Sequence, residues 1–418
     1  MEIICKIWNW LKKLWKKIMA LVTINNTANG DDWAEFIISH STSDQANVQV
    51  NTTSGAAVEI DWGDGTIETL AAATKHDHTY VSNATVFRVR TAGGLEDIER
   101  IFIDALNPLL LGGDISQFNQ LVNLLTIKAD MGGAGTLGGN ITSLNLSSID
   151  TFIINTGGTF VCTTLTIPRT IVSQIELANG CEITGAVSDL PPNLQRLYIR
   201  NTVTTSNITG SILDFPRSMT SIDVAKNTTP ITGNIANCPP NLQYLYLQGN
   251  NNVTGDVQNL PSSLLSCSVY GDNTIFGDVA NGPNCSYSLQ GSNIISGNIS
   301  SLNFNNKFHF VYGNNTLTGS LHQITGTTRI LTALFGNNTI ENFGSKDYTG
   351  YTNVSIQMYC SSQMLPGHVD QLIIDLNNAG LTTEVALNFS GPGAVRTSAS
   401  DAAFTAITTG GGTINLTP

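Results

Sequence analysis

The sequence predicts a mainly β protein: a solenoid of short coils, preceded by a small β-sandwich and an N-terminal amphipathic helix. Two periodic signals and the composition point there. A five-residue anchor recurs as Ile183-Thr-Gly-Ala-Val187, Ile208-Thr-Gly-Ser-Ile212, Ile231-Thr-Gly-Asn-Ile235, Val253-Thr-Gly-Asp-Val257, Ile275-Phe-Gly-Asp-Val279, Ile295-Ser-Gly-Asn-Ile299 and Leu317-Thr-Gly-Ser-Leu321. Its glycines step by 25, 23, 22, 22, 20 and 22 residues, a period that means stacked coils. Between anchors, apolar residues fall at i, i+3 and i+5, as in Leu194/Leu197/Ile199, Met219/Ile222/Val224, Leu242/Leu245/Leu247 and Leu264/Cys267/Val269. The last two of each set alternate and share one face of a short strand. Only 12% of the 418 residues are charged, as suits a turn-rich β protein.

Within the first 20 residues, Ile7, Trp8, Leu11, Leu14, Trp15 and Ile18 form one helical stripe, with Lys12, Lys13, Lys16 and Lys17 on the other side. This segment carries a net +4 over residues 1–18, while the remainder holds 14 basic against 30 acidic residues. The lysine pairs interrupt every apolar run, so it is no secretory signal, and it is too short to span a bilayer. Three roles are open to it: lying on an anionic membrane surface, bundling with copies of itself, or plugging into a larger assembly. Docking on its own body is the fourth.

Residues 21–97 predict the sandwich. Val58-Glu-Ile-Asp-Trp62 alternates as a strand, and Gly63-Asp64-Gly65 signals a hairpin turn. His76-Asp-His-Thr-Tyr80 and Val86-Phe-Arg-Val89 follow. His76 and His78, with Asp61, Asp64 and Asp77, fall short of a convincing metal-ligand set. The pattern through Asp61, Trp62, Gly63, Asp64, Gly65, His78 and Tyr80 resembles the PKD family of small immunoglobulin-like domains. That resemblance implies a core Trp62, a hairpin closed at Gly63–Gly65, and His78 and Tyr80 bracing the turn. It also implies a spacer with no catalytic role.

The coils span residues 98–350. Leu111-Gly-Gly-Asp-Ile115 and Leu137-Gly-Gly-Asn-Ile141 carry early copies of the anchor. The prolines before the apolar triplets (Pro191-Pro192, Pro239-Pro240, Pro261) place loop or extended chain on the back of each coil. Asn201, Asn227, Asn250, Asn273, Asn314 and Asn337 follow the triplets, where a side-chain amide can bond free backbone groups of a tight turn and of the next coil. The spacing resembles the leucine-rich repeat family (LxxLxLxxN) over about half of the chain. A right-handed parallel β-helix is the rival architecture. Residues 351–418 predict a β/α cap: a helix ending at Gly380, a strand from Val385, a short helix over 400–408 and a last strand from Thr413.

Little chemistry is encoded. There is no nucleophile elbow, phosphate loop, dinucleotide fingerprint or C-x-x-C pair. The remaining histidines are isolated, and Asp256 and Asp278 recur at one anchor position, which makes them structural by phase. No enzyme activity, cofactor or metal is expected, although acids on a β-helix could hide a polysaccharide-acting site. Seven scattered cysteines argue against a disulfide scaffold. A net charge of −12 disfavours nucleic acid. Tyr198, Tyr246 and Ser268 should face outward, and Tyr270, Tyr312 and Phe335 share one phase beyond the strand ends. They should stack as a stripe suited to sugar or protein, or else pack beneath a loop.

A PKD-like module followed by leucine-rich repeats resembles surface and adhesion proteins of bacteria and their phages. The expectation is a bacteriophage virion structural protein (spike, fibre or capsid decoration) on the virion surface. Its helix would hold it to other virion proteins or to itself, and its solenoid would bind host surface glycan or protein, with a homo-oligomer possible. A bacterial cell-surface adhesin, with its helix on an anionic membrane, is the alternative.

Overall fold

The computed structural model describes residues 33–145, 147–200, 206–304, 307–324, 329–342 and 344–418. The basic helix expected over residues 1–20 and the turn at Asn201 lie outside them.

Seven strands open the described chain: β1 (Ala34–His40), β2 (Gln45–Thr52), β3 (Val58–Asp61), β4 (Ile67–Leu70), β5 (Lys75–Thr79), β6 (Ala84–Thr91) and β7 (Ile98–Ile103). One sheet runs β1-β6-β3-β4. The facing sheet pairs β2 antiparallel with both β5 and β7. Alternation decides the packing: Phe36, Ile38, Val48, Val50, Ile60, Phe87 and Val89 are buried between the two sheets. The second sheet does not stop there. β7 pairs in parallel with β8 (Thr126–Asp130), which pairs in parallel with the strand at Thr151–Thr163. The boundary drawn at residues 97/98 therefore falls inside a continuous sheet, because β7 belongs to the sandwich and to the first coil.

From β8 onward each strand pairs in parallel with the strand one coil later. Register is kept by the apolar positions: Leu197↔Ile222, Ile222↔Leu245, Leu245↔Cys267 and Cys267↔Tyr287. All five are buried. In the regular coils the chain runs through this first sheet, turns a corner and enters a second parallel sheet carrying the glycine anchor, as at Gly255↔Ile275 and Gly277↔Ile295. A single turn of 3-10 helix follows, as at Val257–Asn259 and Ile299–Ser301. The asparagine or aspartate before that turn caps it: Asp256 accepts from the Gln258 amide at 3.0 Å and Asp278 from the Ala280 amide at 2.8 Å. The anchor glycine exists to make room for this cap. At Gly277, with φ +112°, a Cβ would sit 2.2 Å from Asp256 Oδ1 of the previous coil. These contacts give a stack of parallel coils with a small β-sandwich built onto its first coil. The main sheet is open, since β5 at one end and Thr413–Thr417 at the other each have one neighbour.

The corner corrects the asparagine register. The inward position lies two residues after the corner glycine, so Asn251, Asn273, Asn293, Asn315 and Asn338 are buried. Of the asparagines singled out in the sequence, Asn273 lies at that position, whereas Asn250, Asn314 and Asn337 are exposed, Asn250 donating to the Thr228 carbonyl of the coil before at 3.2 Å. Pleating carries alternation through a glycine of positive φ, such as Gly271 at +134°. Asn227, which follows Lys226 rather than glycine at its corner, is buried as expected.

The end of the chain extends the same sheet. Val385–Ser390 and Thr413–Thr417 add in parallel, with α1 (Pro366–Asn378) and α2 (Asp401–Gly410) as crossovers. Asp370 ties the two helices by accepting from Ser400 Oγ at 2.6 Å and from the Thr397 amide at 3.0 Å. The six described cysteines are free and buried.

Candidate binding face

The outward side of the main sheet is read by following one column across the strands. The residue between the two inward apolar positions is Glu176, Tyr198, Asp223, Tyr246, Ser268, Ser288, Phe310 and Ala333 on successive coils. The column two residues later runs Ala178, Arg200, then Gln248, Tyr270, Gln290, Tyr312 and Phe335 beyond the next coil's Ala225.

Charge divides this face. On its first half Arg200 binds Asp223 at 2.8 Å and Glu176 at 3.5 Å and lies 4.5 Å over the ring of Tyr198. Burial pushes the Glu176 carboxyl above its ordinary range, against the pull of Arg200. Arg200 and its two acids are spent on one another, while Arg196, at an outward position of the same strand, is exposed. From Tyr244 to Phe335 the outward positions ahead of each corner carry tyrosine, phenylalanine, serine, glutamine, leucine and alanine among the described residues, with Arg329 at the margin and Asp272 exposed at the corner after Tyr270. Lys307 directs its Nζ to the Asn284 carbonyl, 2.5 Å away.

The predicted stripe is brought together in part. Tyr312 and Phe335 stack with ring centroids 4.9 Å apart and planes 12° from parallel. Gln290, in the same phase and missed in the sequence, separates them from Tyr270. Tyr270 instead bonds Ser288 through its hydroxyl at 2.6 Å. Tyr270, Gln290, Phe310 and Tyr312 line an open groove of about 410 Å³. Tyr198 and Tyr246 are half-buried, Tyr244 and Tyr246 stack at 6.4 Å, and Ser268 is buried. Phe310 and Gln290 were legible as the middle and trailing positions of Val311 and Leu289 strands.

The buried asparagines hold this surface from beneath. Asn273 accepts the Val253 amide of the coil before at 2.9 Å and donates to the Gln290 carbonyl of the coil after at 3.3 Å. Asn251, Asn293 and Asn315 donate in the same way to Tyr270, Tyr312 and Phe335 carbonyls. Each residue of the trailing column is thus pinned through its own backbone.

In the sandwich, Trp62 is fully buried and stacks on His78 at 4.5 Å, with Tyr80 edge-on to both. His78 Nε2 bonds Asp64 at 2.9 Å, and the Val81 amide reaches the same carboxylate at 2.9 Å. Burial alone would raise Asp64, but the Val81, His78 and Thr66 hydrogen bonds overcome it and hold the carboxyl down at about 2. Asp61 accepts from the Gly63 amide and from Arg88. Gly63 and Gly65 have positive φ in the hairpin turn between β3 and β4. The group acts as a brace, and His76 is occupied by the Ala71 carbonyl. No group of three or more metal-ligating side chains is found among the described residues.

A comparison with protein-family models and a search of curated proteins both find no match. Among solved structures the chain is similar to a plant peptide hormone receptor, RGFR1, in complex with RGF2, at 17% identity over 68% of this chain and 47% of that one, with a TM-score of 0.37. It is also similar to a TDR receptor (14% identity, 68% and 60% covered, TM-score 0.36) and to the Arabidopsis receptor kinase HAESA in complex with the peptide hormone IDA and the co-receptor SERK1 (13%, 70% and 67%, TM-score 0.37). The chain spans about half to two thirds of the length of these structures.

Proposed function

We propose that the protein is a non-enzymatic recognition protein that presents the outward face of its solenoid sheet to a partner on a host surface. The observation that carries this reading is the aromatic half of that face, whose groove lining of Tyr270, Gln290, Phe310 and Tyr312 holds no charge, on a chain whose net charge is −12. A rigid surface of tyrosines and phenylalanines suits recognition, since such side chains bury large area at small entropic cost. In the fuller form of the proposal the protein is a bacteriophage virion structural component, a spike, fibre or capsid decoration. The PKD-like turn and the repeats resemble surface adhesion proteins, and the basic segment over residues 1–18 differs sharply in charge from the acidic body it would tether. A bacterial cell-surface adhesin held by the same segment is the second reading, favoured by the tryptophans and lysines of that segment.

Fractionation separates them. Phage particles and cell membranes from the native source are banded on density gradients and searched for peptides of this chain by mass spectrometry. Peptides in the particle band support the virion component; peptides in the membrane band alone discard it in favour of the adhesin. Absence from both surfaces overturns recognition at a host surface altogether.

A further inference from the structure

We infer that the second half of the outward sheet face is a binding site for a neutral oligosaccharide, an inference that rests on the recognition role proposed above and names its ligand class. Three independent features of the face select that class.

The first is the floor. Ser268 and Ser288 occupy consecutive coils of the middle column, between Tyr246 and Phe310. Strands in a sheet lie about 4.8 Å apart, so these two aromatic walls stand roughly 14 Å from each other across a depression of small side chains, of which Ser268 is covered and Ser288 stays partly exposed. A depression of that length admits a chain of a few sugar rings and is too shallow to enclose a compact drug-like molecule. The second is the pairing of flat rings with adaptable polar groups. Tyr312 and Phe335 make a stacked pair, which presents an aromatic face at the end of the groove, and Tyr270 is oriented by its bond to Ser288. The C–H face of a pyranose packs on such rings, while its hydroxyls exchange hydrogen bonds with Ser288, Gln290 and the tyrosine hydroxyls. The third is charge. An anionic sugar or an acidic peptide would require a cation in the groove. Arg196 and Arg200, the latter held by Asp223 and Glu176, lie on the other half of the face, and Lys307 is bound to a backbone carbonyl. A basic ligand would require a carboxylate in the groove, and its lining of Tyr270, Gln290, Phe310 and Tyr312 holds none; Asp272 is exposed at the corner beyond Tyr270, outside that lining. A neutral, hydroxyl-rich ligand meets the site without leaving a charge unpaired.

The site is also pre-ordered. Asn251, Asn273, Asn293 and Asn315 fix the backbone carbonyls of Tyr270, Gln290, Tyr312 and Phe335, so little loop ordering is left to oppose binding.

The test uses the full chain and whole bacterial cells from the protein's native source, untreated, periodate-oxidised or protease-treated. The variants are Tyr312→Ala, Tyr312→Phe and Tyr246→Ala, with circular dichroism melts to confirm folding. Retention of the protein on untreated and protease-treated cells, with loss after periodate, is expected. Binding should weaken on the order of tenfold in Y312A and Y246A, as for central aromatic contacts, and Y312F should bind close to wild type because it keeps the ring. Binding that survives periodate but not protease overturns the oligosaccharide and leaves recognition standing. No binding to untreated cells overturns both. Full binding by folded Y312A and Y246A removes the site from this face.

Discussion

Replacing Asn273 by alanine tests whether the buried amide column, and not the leucines alone, joins one coil to the next. The side chain is fully buried and spans three coils, accepting from Val253 N at 2.9 Å and donating to Gln290 O at 3.3 Å. Alanine strands the Val253 amide in an apolar interior, which costs about 1–3 kcal/mol. The Gln290 carbonyl belongs to an exposed residue and can turn toward water, so its loss adds only about 0.5–1.5 kcal/mol. The expected penalty is about 2–4 kcal/mol. Asn250→Ala, one corner earlier and exposed, should cost no more than ~0.5 kcal/mol. Because a long repeat array need not unfold in one step, the assay pairs guanidinium melts with native-state hydrogen exchange. In N273A the amides of Val253 and of the second-sheet strand beside it should lose protection while the sandwich keeps its own. Equal penalties for N273A and N250A, or an unchanged Val253 amide, would refute the argument.

Other outcomes follow from the same geometry. Leu245→Ala removes a fully buried side chain from the core seam and should cost ~2–5 kcal/mol in denaturant melts; a loss near zero would mean the register is wrong. His309 is buried, with its pKa lowered by that burial to about 4. Its folded-state pKa lies below the unfolded one, so the stability it leaves intact above pH 6.5 is lost as pH falls toward 4, by up to about 3 kcal/mol. His309→Phe should flatten that limb of the pH–stability curve, and an unchanged limb would assign it elsewhere. Asp64 has a depressed pKa too, so its contribution is full above about 4 and disappears as pH falls through 2. Asp64→Asn should weaken the sandwich at neutral pH and make it indifferent to that last drop, as followed by Trp62 fluorescence. Deleting residues 1–20 should abolish incorporation into particles, if the protein is a virion component, while leaving the β circular dichroism of the solenoid; normal incorporation would exclude an anchoring role.

Much of this was legible because the repeat is local. The spacing of Leu242, Leu245 and Leu247 fixes which residues point inward once the strand is granted, and the phase of Asp256 and Asp278 marks them as structural, while their capping of the 3-10 turns is seen only in the structure. The brace at the turn came from the resemblance to PKD domains, which implied a core Trp62 with His78 and Tyr80 beside it, and the structure adds Asp64 as the partner of His78. Two features were not legible. The asparagine register depends on how pleating passes through a corner glycine, and Asn250 and Asn251 are indistinguishable in a string of three asparagines. The antiparallel pairing of β2 with β7 joins residues about fifty positions apart, and no periodicity reports a contact of that kind. Gln290 stands differently: Leu289-Gln-Gly291 has the phase of Val311-Tyr-Gly313, so the break in the aromatic column was written in the chain.

If the protein is held by residues ahead of Trp33, a pull there is taken up by β1, and the path of that force is set by hydrogen bonds. The β1 edge is sewn to the first coil by Gln117 and Gln120, which bond the Ile37 and Glu35 amides at 2.9 Å each, and by the Ser39 amide on the Leu110 carbonyl at 3.1 Å. On the opposite layer β7 belongs to both bodies. Tension therefore passes from the sandwich into the solenoid through two ladders loaded side by side, with no slack hinge between them. Such a joint transmits orientation as well as force: whatever tilts the sandwich tilts the sheet.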